Sequence, residues 1–170
     1  MPPLSGIEDP ENQWRPDWEA TVLHVEIRNE AQGRVRPMAR HDVPVVAAMI
    51  QRLSGQALCA DIAALDAELR AVASRRRGLV AERFGYVVGY ALMATDEAGN
   101  ALHLQQLFVI EGSRGRGLGR ALVDAAADLA RETGHRHVRA DAPAEAPHAR
   151  SFYRALGFEE SGGEPLLRLA

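Results

Sequence analysis

The 170-residue chain reads as a single α/β domain of the α+β type, built on antiparallel hairpins and flanked by about four helices. Two observations predict this. Three strand-like stretches, residues 79–84, 86–95 and 101–110, follow one another with only a tight turn at Gly85 and a turn cluster at 96–100 between them, so hairpins are the simplest arrangement. Stretches with helical spacing lie on either side of this block, near 42–55, 61–74, 118–134 and 147–156.

Taken in order, residues 1–33 form an N-terminal arm. Its first half is rich in Pro, Asp, Glu and Asn and has no period. Trp14 and Trp18 are the exception, two aromatics suited to anchoring the arm on the domain or on a second copy of the chain. Residues 21–28 alternate Leu23, Val25 and Ile27 against His24, Glu26 and Arg28, an extra strand that would sit at a sheet edge. A homodimer contact through this arm is expected on that basis. The domain proper spans 34–170 and opens with a short strand at 34–38.

Asp42 is placed to cap the first helix, with Pro44 in its first turn and Val45, Val46, Met49, Ile50 and Leu53 on its apolar face. The second helix carries Ile62, Leu65, Leu69 and Val72. Arg75, Arg76 and Arg77 then read as its C-terminal turn, where cations suit the helix dipole. After the hairpins, Leu118, Leu122, Ala125, Ala126 and Leu129 give a long helix its buried face, and Gly134 stops it. A strand at 135–140, a short helix at 147–156 ended by Gly157, and a last strand at 166–169 complete the chain.

The bulk properties exclude several classes. A net charge of −3 and a pI near 6.1 give no electrostatic footprint for nucleic acid. No apolar run reaches the ~18 residues of a membrane span, and the start lacks the basic and apolar regions of a signal peptide, so the cytoplasm is the expected compartment. The single cysteine, Cys59, forbids an internal disulfide and has Asp61 as a neighbour of the wrong sign for an activated thiol. The six histidines are scattered without a ligand pattern, so no metal is expected.

The chemistry concentrates in Arg114-Gly115-Arg116-Gly117-Leu118-Gly119-Arg120, between a strand and a helix. Glycines let backbone N–H groups approach an anion, and a helix start offers unsatisfied donors with positive partial charge; together they make a phosphate cradle. Arg114, Arg116 and Arg120 would add charge-assisted contacts. A plain strand-to-helix turn is the bland alternative. A Walker loop is excluded because Arg120 and Ala121 follow Gly119 where Lys and Ser/Thr are needed, and a dinucleotide fingerprint fails at Arg120 or at Leu122.

Downstream lies Ala149-Arg150-Ser151-Phe152-Tyr153-Arg154-Ala155-Leu156-Gly157-Phe158. Arg114-x-x-Gly117-x-Gly119 at a helix start, followed after one helix and one strand by Ala149-x-x-Phe152-Tyr153-x-x-x-Gly157-Phe158, resembles the GCN5-related N-acetyltransferase (GNAT) family. The resemblance covers about 34–169, and Leu104-Gln105-Gln106-Leu107-Phe108-Val109 looks closest to the diamine acetyltransferase branch. It implies a mixed, mostly antiparallel sheet splayed into a V and acetyl-CoA as co-substrate. It also implies a pantetheine arm paired along the backbone of Leu107, Phe108 and Val109, and a diphosphate on the N–H groups from Gly115 to Arg120. Finally it implies that Tyr153 protonates the departing thiolate, a role that suits a phenol that keeps its proton at neutral pH. The implied acceptor is a primary amine of a small molecule. A protein N-terminus or lysine, or a non-catalytic acyl-CoA sensor, are the alternatives.

The chain departs from the family pattern in two places. Ala146 stands where many relatives carry Asn, with Glu145 and His148 beside it. Gln105 and Gln106 stand where the diamine branch carries acids, and glutamine cannot act as a base. The base is left open among the imidazole of His103, Asp141, and a water chain. Gln105 is expected to share the face of His103 by alternation, so both are candidates to touch the acceptor.

Overall fold

The computed structural model describes residues 33–54, 63–64, 66–67, 76–96, 99–142 and 145–169. Trp14, Trp18, the expected strand at 21–28 and Cys59 lie outside the described residues.

Strand β1 (Arg34–Pro37) leads through a 3-10 turn (Arg40–Asp42) into α1 (Val43–Ser54). Strands β2 (Arg76–Arg83), β3 (Tyr86–Thr95) and β4 (Ala101–Val109) follow, then α2 (Leu118–Glu132), β5 (His137–Ala140), α3 (Pro147–Ala155), β6 (Glu159–Ser161) and β7 (Glu164–Arg168). Of the second expected helix, residues 63–64 and 66–67 are helical and the rest lies outside the described residues. The seven strands form one sheet in the order β1-β2-β3-β4-β5-β7-β6. Every pairing is antiparallel except β4 with β5. The mixed, mostly antiparallel sheet is therefore as expected.

The β2–β3 hairpin closes through Phe84 and Gly85, both at positive φ (51° and 78°), the turn whose twist matches paired strands. Arg76 and Arg77 are not a helix terminus. They open β2 and pair with Ala94 and Met93, because the ten-residue β3 offers ladder partners beyond Leu79. Strand β6 leaves no signal in the sequence. Its Glu159-Glu160-Ser161 is exposed throughout, so it has no buried face to imprint a period.

The core has two parts, one on each face of the sheet. On one, Leu118, Leu122, Val123, Ala126 and Leu129 of α2 cover Leu79, Ala91, Met93, Leu102 and Leu104, with Tyr153 of α3 and Phe158 in the same cluster. On the other, Val46 of α1 packs with Met38, Val80, Tyr90 and Leu92. Asp42 does not cap α1 as expected. Its buried carboxylate turns back to accept from Ala39 N–H (2.7 Å) and from both terminal nitrogens of Arg36 (2.6 and 2.9 Å), whose Nε donates to Glu82 (2.7 Å). Burial alone would push the Asp42 carboxyl up, but these donors hold it below the usual carboxylate range. The network fixes the entry to α1 against β1 and β2.

Candidate active site

The site begins where two strands part. Strand β5 pairs with β4 only from Ala101 to Leu104, and the last link is Asp141 N–H to Leu104 O at 3.1 Å. From Gln105 to Val109, β4 has no partner on that side among the described residues. A cavity of about 350 Å³ opens there, lined by Ile50 and Tyr90 from one face of the sheet and by Leu107, Ala149 and Tyr153 from the other. Lining from both faces means that the cavity passes through the sheet at the split, which is the opening of the expected V.

Within β4 the ladder decides which peptide groups face the opening. Ile110 N–H donates to Val88 O at 2.9 Å, which sets the alternation of bonded and non-bonded pairs with β3. Phe108 is bound to Tyr90 by this alternation. The peptide groups of Leu107 and Val109 turn away from β3, and Val109 O indeed accepts from Arg114 Nε (2.9 Å). Gln105 is the extra residue of a bulge, since Leu92 pairs with Gln106 but Met93 with Leu104. The bulge breaks the simple alternation that would join Gln105 to His103: Leu102 and Leu104 before it, and Leu107 and Val109 after it, all meet the same core. Gln106 accepts from the hydroxyl of Tyr90 (3.2 Å), while both glutamines line the cavity.

The glycine turn stands beyond the end of β4. A 3-10 turn (Glu111–Ser113) follows the strand, then Gly115 and Gly117 adopt φ of 71° and 80°, and Gly117 caps α2 with no side-chain bond. Among the described residues, the N–H groups of Gly115 and of Gly117 to Arg120 donate to no other backbone group. A Cβ on Gly115 or Gly117 would meet nothing within 4 Å. These are the features of a cradle for an anion. Arg116 is exposed at its rim, Arg120 lies 3.8 Å from Asp124, and Arg114 folds back over the Phe108 ring at 5.9 Å. The two sequence motifs meet directly, because a Cβ on Gly119 would lie 3.3 Å from the ring of Phe152.

Tyr153 is buried from α3, edge-on to Phe152 (5.2 Å) and against Phe158 (5.1 Å). Desolvation, with the charge of Asp141 as a lesser cause, pushes its phenol up to about 12. Ala146, the departure from Asn, is the N-cap of α3 and supplies no side-chain cap bond. Two candidate bases that the sequence offered separately come together: His103 Nε2 lies 2.7 Å from Asp141 Oδ1, and Asp141 lines the cavity with Tyr153. The parallel register makes this pair, setting His103 beside Arg139 two residues before Asp141.

A seven-stranded sheet that opens between its one parallel pair, with a glycine turn at a helix start beyond the opening, defines the acetyltransferase class of fold. The sequence model of the Acetyltransferase (GNAT) family matches residues 46–158, and the chain belongs to that family. No curated protein matches the chain in sequence. Among solved structures, yncA from Salmonella typhimurium, solved with its cofactor acetyl-CoA, has a TM-score of 0.68 at 19% identity, covering 80% of this chain and 93% of its own. The aminoglycoside N-acetyltransferase AAC(6')-Iy, in complex with CoA, has a TM-score of 0.66 at 23% identity, with 75% and 88% covered. Ard1 from Thermoplasma volcanium has a TM-score of 0.65 at 22% identity, with 82% and 99% covered. Likenesses at these identities establish the fold. Among the described residues, no helix is long and apolar enough to cross a membrane.

Proposed function

We propose that this GNAT-family protein moves the acetyl group of acetyl-CoA to a primary amine of a small molecule by direct attack. One observation carries the reading: strand β4 presents the outward peptide groups of Leu107 and Val109 between the cavity that Leu107 shares with Tyr153 and the glycine turn that follows the strand. An extended, amide-bearing arm with a diphosphate at one end and a thioester at the other matches this order of groups. Solved structures of the same fold hold acetyl-CoA or CoA.

In this reading the N–H groups from Gly115 to Arg120 hold the diphosphate, with Arg116 and Arg120 at its rim. Leu107 and Val109 pair with the pantetheine amides as an added strand would. The thioester supplies an electrophilic carbonyl and a sulfur leaving group. Leu107 N–H, directed into the opening, donates to the carbonyl oxygen as it gains charge. Tyr153 keeps its proton across the neutral range because burial raises it, and donates to the sulfur. A sensor that only bound acyl-CoA would have no use for a buried phenol on the cavity wall.

The test is thiol release over a panel of small amines and short peptides, with the wild type and Tyr153→Phe. The wild type should turn over at least one small amine. The variant should lose about 10²- to 10⁴-fold in kcat, the range of general acid catalysis, while binding acetyl-CoA unchanged in calorimetry. Turnover of peptides alone would reassign the acceptor, and an equal kcat in the variant would remove Tyr153 from the reaction. We extend the proposal to a homodimer formed through the arm bearing Trp14 and Trp18. A Trp14→Ala/Trp18→Ala protein with unchanged solution mass would count against that part.

A further inference from the structure

Direct attack requires a neutral amine, whereas an alkyl amine arrives protonated at neutral pH. Something must take that proton, and the glutamines at 105 and 106 cannot. We propose that His103 and Asp141 form the proton-accepting pair for the acceptor amine, and that the acceptor therefore binds as a primary ammonium at Asp141. The inference rests on the acetyltransferase reading above and assigns the one role in it still open.

The argument starts from placement. Asp141 is the one charged side chain among the described residues lining the cavity, and it shares that lining with Tyr153. Its charge is the lesser of two causes, after burial, that raise the Tyr153 phenol. Its Oδ1 is held by His103 Nε2 at 2.7 Å. A charged carboxylate only accepts, so Nε2 carries the hydrogen and Nδ1 is left as the basic nitrogen. The side chains are 26% and 47% exposed, so the pair is reachable by water and by a substrate. The neighbouring strands β5 and β7 contribute the charged side chains of Arg139 and Glu164. Arg139, the ladder partner of His103, is turned to Glu164 at 3.5 Å and so is partly neutralised.

The step balances as follows. The ammonium is held by the second oxygen of Asp141 and passes one proton through water to Nδ1 of His103, and Asp141 stabilises the resulting imidazolium. The lone pair of the amine then forms the N–C bond as the C–S bond breaks. The sulfur takes the proton of Tyr153, and the second proton of the nitrogen returns to the phenolate through water. His103 releases its proton to solvent, giving amide, thiol and one proton from ammonium and thioester.

The experiment uses Asp141→Asn, with His103→Gln as the second variant, and measures kcat/KM from pH 6 to 10 for the best small amine of the panel. At pH 7 each variant should fall by about a hundredfold or more. The deficit should shrink as pH approaches the amine's own pKa, about 10, where solvent supplies the neutral form. It should also narrow at pH 7 for a weakly basic alkoxyamine that needs no deprotonation, and Asp141→Glu should recover part of the rate. Melting temperatures and acetyl-CoA affinity should stay near wild type. A loss that is uniform across pH and across amines would make the pair merely structural and overturn the proposal, and so would variants that match the wild type. A wild type that neither binds acetyl-CoA nor releases thiol would instead overturn the acetyltransferase reading, so the two failures are distinguishable.

Discussion

Gly117→Ala tests the glycine turn, because its cost can be divided using a second glycine on the same helix. Gly117 lies at the start of α2 with φ 80°, and Gly134 lies just past its end with φ 79°. Neither has a heavy atom within 4 Å of the position a Cβ would take. Alanine at either site therefore meets no neighbour and bears only the left-handed backbone penalty, about 1–2 kcal/mol. For a domain of this size, each kcal/mol lowers Tm by roughly 2–4 °C, so the two variants should melt alike, a few degrees below wild type. They should differ in binding. At 117 the methyl group enters open space at the start of α2, where a diphosphate bound as proposed would be kept from close approach. Losing one charge-assisted hydrogen bond there is worth about 1.5–3 kcal/mol, or roughly ten- to a hundredfold in Kd. Calorimetry with acetyl-CoA at 25 °C, paired with thermal melts, reads both quantities. Equal affinity in the two alanine variants would refute the reasoning, since the turn would then be structural only.

Other consequences follow from charge and burial. Desolvation pushes Tyr90 and Tyr153 up to about 12. Their folded values lie above the ordinary value near 10, so the stability they contribute is complete below pH 10 and is lost as pH rises toward 12. Two pKa units correspond to about 3 kcal/mol for each group. Thermal melts between pH 9 and 12 should therefore fall steeply for the wild type and less steeply for Tyr153→Phe; parallel curves would contradict this. At the other end of the scale, Asp42→Ala removes the acceptor of Arg36 and of Ala39 N–H and leaves the guanidinium half paired. Urea titration at pH 7 should show a loss of about 3 kcal/mol. Because the Asp42 carboxyl is held low in the folded chain, its contribution is present above the ordinary carboxylate range and is lost as pH falls through its folded value. The variant should accordingly lose less stability on acidification than the wild type.

Sequence and structure agree where a local physical demand leaves a trace in residue type. Gly134 and Gly157, read as helix stops, sit at positive φ, and so do Gly115 and Gly117 of the glycine turn. Hairpins and helix faces were legible from alternation and from 3.6-residue spacing. Tyr153 was legible only through its motif, since composition cannot distinguish a packed tyrosine from one that faces a cavity. What was not legible depends on register. His103 and Asp141 are 38 residues apart, and only the parallel pairing of β4 with β5 brings them to 2.7 Å. The bulge at Gln105 shifts the side-chain phase along β4, and nothing in Leu104-Gln105-Gln106-Leu107 marks it in advance. The basic run at Arg76 and Arg77 suits a helix end, but strand pairing with β3 prevails.

The most direct test of the central claim is a crystal structure of the protein with CoA. The account expects the diphosphate on the N–H groups of residues 115–120, the pantetheine amides paired with Leu107 and Val109, and the sulfur within hydrogen-bond reach of the Tyr153 hydroxyl. A diphosphate bound elsewhere, or a sulfur pointing away from the opening between β4 and β5, would contradict it.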